Sequence, residues 1–377
     1  MKGKQGLVCM GLLLVLSSCH TGKQITASGL QRKDFQTEVN GQHTDLFTLS
    51  NKQGMEVCIT NYGARVVSIL VPDRNGKRED VVCGFSTITE YMEQRQNFGS
   101  TVGRYIGRIL NARFTLDGVE YKLVPNNGKS GHISHGGNPG FADRIWKVEQ
   151  ADTHRVCLSY LSPDGENGFP GNLKVTLVYS LGEDDNALDL TYEATTDAPT
   201  VLNLSHHSFF NISGNFTKSV EDQQLWVDAD RFTPYDDKKC VTGEYLQVAG
   251  TPLDFRMPHA IGECIDADHP QLKVVNGYDH TWELNTKGDD TRPAAWVYDP
   301  ASGRKMEIFT TEPGMQIYTG NGLKGKMTGK GGIAYPFRSA VCFETMHFQD
   351  SPNQPGFPST VLRPGEVFRS HTVYKFE

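Results

Sequence analysis

The stretch "LKVTLVYSLGEDDNALDLTYEATT", residues 173–196, decides the fold class. Leu173, Val175, Leu177, Tyr179 and Leu181 fall on alternate positions. So do Leu188, Leu190, Tyr192 and Ala194, with Asp189, Thr191 and Glu193 between them. Neighbouring side chains of a strand point to opposite faces, so each run buries one face and wets the other. The polar GEDDN between the runs is a turn, and the whole reads as a β-hairpin.

The same period recurs along the chain. "WKVEQADTHRVCLSYLS" (146–162) reads as a second hairpin, "MEVCITNYGARVVSILV" (55–71) as two strands around Tyr62-Gly63, and "HTVYKF" (371–376) as a last strand. The best helix candidate is short, residues 86–95. No repeat of 20 to 50 residues appears, which argues against a propeller or solenoid. No linker divides residues 36–377. The expectation is an all-β chain, one large single-domain antiparallel β-sandwich of many strands.

Composition agrees. The 377 residues are 37% hydrophobic and 21% charged, enough for a core and unlike a disordered chain. The 39 glycines and 18 prolines supply the turns that many strands need. A net charge of −7 lacks the basic face that nucleic acid requires, so no nucleic-acid partner is expected.

The N-terminus reads as an address. Lys2 and Lys4 precede the 11-residue apolar run GLVCMGLLLVL, short for a membrane span. The run ends in Leu-Ser-Ser-Cys, which resembles a bacterial lipobox with Cys19 as the acylated residue. The alternative is an ordinary secretory signal with a chance cysteine. The lipobox reading makes residues 1–18 a lipoprotein signal peptide and 19–35 a polar lipid-anchored tether, which leaves 36–377 as the β-sandwich domain. The protein is then exported and held on a bacterial membrane by its lipid alone, facing the periplasm or the cell surface. The six further cysteines, 58, 83, 157, 240, 264 and 342, form no CxxC motif, so no zinc or thioredoxin signature is present. Cys58, Cys157 and Cys342 sit in apolar strands and read as buried thiols.

Six segments carry polar groups where strand faces should be apolar, or beside glycine-rich turns. They are GRYIGRI (103–109), SHGG (134–137), NLSHHSFFN (203–211), GYDHTWEL (277–284), EPGMQIYTGN (312–321) and CFETMHF (342–348). In this order and at these separations they resemble the aldose 1-epimerase, or galactose mutarotase, family. The resemblance runs from about Leu46 to the C-terminus. It implies a galactose mutarotase-like supersandwich and an isomerase acting on free aldohexoses such as galactose and glucose.

The resemblance also places roles. His207 matches the family's general acid and Glu344 its general base. Asp279 matches a carboxylate that grips sugar hydroxyls, His135 a second site histidine, Arg108 a substrate-binding arginine and Gln316 a glutamine near the sugar. The family commonly has asparagine just before that arginine. Here the residue is Gly107, so the hydrogen bond of that amide is expected to be lost or taken over by water. No cofactor is required and no metal ligand is assigned. Calcium occurs in some relatives, but no Asp-rich EF-hand loop supports it here. A monomer is expected.

These residue types suit the chemistry. Anomers interconvert when the ring opens, the C1–C2 bond rotates and the ring closes on the other carbonyl face. Opening needs a base for the C1 hydroxyl proton and an acid for the ring oxygen, and closing reverses the roles. Histidine titrates near neutrality, and a nearby carboxylate is expected to keep it charged. His207 and Glu344 are expected on opposite sides of a sugar-sized gap, too far apart for a direct hydrogen bond. His206, one position away, should face the packing side. Three other readings remain. A glycoside hydrolase would use Glu344 and Asp279 as its carboxylate pair. A related hexose-6-phosphate epimerase would need clustered arginines, for which Arg104, Arg108 and Arg113 are the candidates. A non-catalytic sugar-binding lipoprotein would need neither acid nor base.

Overall fold

A computed structural model of the chain describes residues 24–377, so the signal segment and Cys19 lie outside the described residues. Two large antiparallel sheets dominate, one of nine strands and one of six, with a four-stranded sheet and several two-stranded ladders beside them. The hairpin that decides the class lies inside the larger sheet. Leu173–Leu181 pairs with Ala187–Thr196, which pairs in turn with Phe368–Phe376. Its alternating residues Leu177, Tyr179, Leu188 and Leu190 are fully buried.

The six-stranded sheet runs in the order Phe209–Phe210, Val341–Met346, Gly314–Tyr318, Asp279–Glu283, Arg231–Thr233, Leu246–Gln247. One of its faces packs on the larger sheet. Tyr374 Oη donates to the Phe343 carbonyl at 3.0 Å, the Thr345 and Thr372 hydroxyls meet at 2.7 Å, and the Phe210 and Tyr374 rings lie 5.1 Å apart. Its other face carries the cavity described below. The four-stranded sheet holds the two strands read from residues 55–71, as Glu56–Thr60 and Arg65–Pro72. The short helix appears as Ile88–Gln94, opened by a Thr87–Glu90 capping box.

The boundary expected at residue 36 falls inside the folded body. Leu30 and Phe35 are buried in a core cluster, and the Glu56 carboxylate accepts from the backbone N–H groups of Ala27 and Ser28. Two isolated apolar residues in a polar run are enough to pin residues 24–35 to the domain. Cys58 and Cys342 are buried as expected, whereas Cys157 is only half-buried.

Buried arginines fix the loops. Arg65 is buried and donates to the carbonyls of Gln96, Phe98 and Ala142 at 2.7, 2.9 and 2.8 Å. Arg104 does the same for Pro170 and Gly171, at 2.8 and 3.0 Å. A buried guanidinium without such acceptors would carry a large desolvation penalty.

On the far side of the larger sheet, His371 is gripped by two carboxylates. Its Nε2 lies 3.1 Å from Asp189 Oδ1 and its Nδ1 2.7 Å from Asp290 Oδ2. Both ring nitrogens must donate, so the ring is an imidazolium. The hydrogen bond to Asp189, then that to Asp290, raise its pKa to about 9 against the opposing cost of burial. A raised folded-state pKa means stabilisation that is complete below the free value of 6.5 and is lost as pH rises through about 9. The melting-temperature difference between wild type and His371→Gln should therefore be largest below 6.5 and vanish above about 9. A difference independent of pH would refute this assignment.

Candidate active site

The cavity is set by strand register. In the six-stranded sheet Thr281 stands opposite Gln316, and Gln316 opposite Glu344. Phe209 stands opposite Cys342 in the antiparallel ladder at the sheet's edge. Beyond the end of that ladder the His207 side chain comes into contact with Glu344. Directly opposed residues share a face, so Thr281, Gln316 and Glu344 form one row across three strands, and His207 meets the end of that row. One step along lies a second row on the same face: Asp279, Tyr318, Cys342 and Phe209. His207 itself belongs to Ser205–His207, which pairs with Ser100–Val102.

A second wall comes from elsewhere. Arg108 pairs with Ser134 in a two-stranded ladder, and the His135 N–H donates to the Gly107 carbonyl at 2.9 Å. His135 has a left-handed backbone, φ +52°. Gly136 follows where a Cβ would lie 1.9 Å from the Gly103 oxygen, so only glycine fits that turn.

The two walls enclose a polar cavity of about 230 Å³. Arg108, His135, His207, Asp279, Gln316 and Glu344 all line it. Sequence reading missed Gln349, Phe209 and Tyr318, which line it too. Phe209 belongs to a buried core cluster and also stacks on the His207 ring at 5.1 Å and 19°, forming part of the cavity floor. Of the three arginines grouped in sequence, only Arg108 reaches the cavity. Arg104 is spent on buried carbonyls, and Arg113 lies 3.8 Å from Glu120. Among the described residues the Arg108 guanidinium has no hydrogen-bond or ion-pair partner, so its donors are free for a ligand.

His207 Nε2 lies 3.3 Å from Glu344 Oε1. This corrects the expectation that the two flank a gap. Their side chains touch, which leaves no room for a sugar between them, so a ligand would lie over the pair instead of between its members. His206 points the other way. Its Nε2 is 2.6 Å from the Ser208 hydroxyl, and its ring packs among Tyr179 and Tyr374 of the larger sheet.

The charge states also differ from expectation. Burial, then the neighbouring His135, push the His207 pKa well below 6.5. Burial, then Asp279, push the Glu344 pKa well above 4.5. The cost of burying an ion pair outweighs the attraction that was expected to keep His207 charged. The neutral pair and the ion pair hold the same number of protons, however. They differ only in which side of a 3.3 Å contact the proton occupies, so the two residues titrate as a unit.

The remaining groups are oriented by their neighbours. Burial, then Arg108, hold the His135 pKa down to about 4. Its Nδ1 accepts from the Gly107 N–H at 3.4 Å, which leaves the proton on Nε2. Asp279 Oδ1 accepts from Gln316 Nε2 at 2.6 Å, and burial raises its pKa against the pull of Arg108. Cys342 Sγ sits 3.6 Å from His207 Nδ1. The ligand atoms of His207, Cys342 and Glu344 lie within 4.8 Å of one another. That set has a single carboxylate beside a thiol and an imidazole, a poor fit to calcium, which takes six to eight oxygens.

The aldose 1-epimerase family model matches residues 45–375. The galactose mutarotase of Bos taurus is 40% identical over 331 residues, 88% of this chain and 93% of that protein. The aldose 1-epimerase of Escherichia coli K12 is 36% identical over 339 residues, 89% of this chain and 96% of that protein. Among solved structures, a GalM/aldose epimerase homologue from C. elegans superimposes with a TM-score of 0.81 at 31% identity, covering 89% of this chain and 99% of that one. Galactose 1-epimerase from Lactobacillus acidophilus NCFM gives 0.79 at 28% identity, covering 90% and 96%.

Proposed function

The chain belongs to the aldose 1-epimerase family and is a mutarotase, an isomerase of free aldoses; on that premise we propose that the cavity is its active site, with His207 as general acid and Glu344 as general base. The observation that supports this reading most is the 3.3 Å contact of His207 Nε2 with Glu344 Oε1 in a polar cavity that Gln316 and Asp279 also line.

In the ring-opening direction the Glu344 carboxylate takes the proton of the C1 hydroxyl. The C1–O bond to the ring oxygen breaks as C1 becomes a carbonyl, and His207 Nε2–H gives its proton to that oxygen. Rotation about C1–C2 presents the other carbonyl face, and the same steps reversed close the ring. Opening turns an ion pair into a neutral pair, the direction that burial favours. Hydroxyls donating to Glu344 would offset its burial and hold the carboxylate ready. Arg108, Asp279, Gln316 and the Nε2–H of neutral His135 bind the remaining hydroxyls. Galactose and glucose are the proposed substrates, and no cofactor takes part.

The same reading includes the address. Residues 1–18 are removed, Cys19 is acylated, and the lipid anchors an exported, monomeric enzyme to a bacterial membrane.

Polarimetry of fresh α-D-galactose and α-D-glucose tests the activity. His207→Ala and Glu344→Gln should each lower the rate at least ~10²-fold, the weight of one general acid or base. Near wild-type turnover in either would remove that residue from its role. His206→Ala, which alters the inter-sheet side of the strand, should lower thermal stability more than turnover. For the anchor, labelled fatty acid should enter the native chain and be absent from Cys19→Ser; no label in the native chain would refute the lipobox reading.

A further inference from the structure

Gly107 and Gln349 occupy one space. The family pattern puts an asparagine where Gly107 stands, and the amide was expected to be missing or replaced by water. A Cβ at 107 would lie 2.5 Å from Gln349 Cγ, and the backbone there is left-handed at φ +74°. Gln349 therefore fills the room that a side chain at 107 would need.

The glutamine is held firmly in that place. The Asp350 N–H donates to the Arg108 carbonyl at 2.8 Å, and Asp350 Oδ1 accepts from the Leu110 N–H at 2.9 Å. These bonds clamp the segment after Glu344 against the Arg108 strand. Gln349 Oε1 accepts from the Arg108 N–H at 3.3 Å. Gln349 Nε2 donates to Tyr235 Oη at 2.7 Å and to Gln316 Oε1 at 3.3 Å. Thr281 Oγ1 donates to the same Gln316 oxygen at 2.5 Å. With two donors aimed at its oxygen, the Gln316 amide must turn Nε2 toward Asp279. Asp279 Oδ1 is thereby tied up, and Oδ2 is left for a ligand.

We propose that Gln349, from the adjoining segment, supplies the carboxamide that position 107 lacks. It is a positioning residue that orients Gln316, and through it Asp279, so Gly107 and Gln349 form one exchangeable unit. This rests on the reading of the cavity as the aldose site and adds a residue that the family pattern does not supply.

The test measures KM and kcat for galactose in four variants, with thermal melting as a check on folding. Gln349→Met keeps the bulk and loses the amide; Gln349→Ala loses both. Both should raise KM about threefold to tenfold, the weight of one or two hydrogen bonds, with kcat changed less than about twofold. Gly107→Asn alone should be worse, because its Cβ meets Gln349. The double variant Gly107→Asn/Gln349→Ala should return KM to within about twofold of wild type, since asparagine tolerates the left-handed backbone. Unchanged KM in both Gln349 variants would overturn the proposal, and so would a double variant no better than Gln349→Ala. If Gly107→Asn does not fold, the Gln349 variants alone decide. A wild-type chain without mutarotase activity would overturn the reading of the cavity instead.

Discussion

The site depends on one register. Gln316 opposite Glu344, and Phe209 opposite Cys342, bring the proposed acid and the proposed base into contact. A slip of one residue in either ladder would turn Glu344 or His207 into the inter-sheet core and bring His206 or Phe343 to the cavity. The register is defended from the other face. Phe343, Ile317 and Trp282 are buried against the larger sheet, and turning them to a polar cavity would forfeit about 1.5–3 kcal/mol each. The packing core thus specifies the chemistry without touching a ligand.

Register also dictates electrostatics. Touching side chains in a desolvated site cannot both be charged cheaply, and burial moves the His207 and Glu344 pKa values in opposite directions. The pair therefore holds its single proton over a wide range, because adding a second or removing the first leaves a net charge in a buried place. Around it, several polar groups orient one another. Thr281 and Gln349 saturate the Gln316 oxygen, Gln316 holds one oxygen of Asp279, and the Gly107 amide fixes the His135 tautomer.

Much of this was legible in the sequence, for physical reasons. Period two reveals strands that bury one face, and residues 173–196 fold as read. The polar groups of the site stood out because they interrupt that period or sit beside glycine turns. What was hidden is long-range. No local pattern states which strands adjoin, so the contact between His207 and Glu344 was misjudged although both residues were singled out. Gln349 follows a strand end with no periodic signal, and its relation to Gly107 exists only in space. Leu30 and Phe35 are isolated apolar residues whose burial comes from tertiary contacts that no local period announces. Gly107 was visible as a departure from the family pattern, yet what fills its place could be seen only in the fold.

In the proposed mechanism His207 and Glu344 work as one buried pair sharing a proton. The pH dependence of kcat/KM for galactose, corrected for the uncatalysed rate, reports the titration of the free enzyme. A shared proton predicts a plateau that passes through 6.5, the ordinary histidine value, without a change of slope, with its alkaline limb set by the raised Glu344. Two independent groups would instead confine activity between 4.5 and 6.5. A rate that falls with a midpoint at about 6.5 would contradict the account.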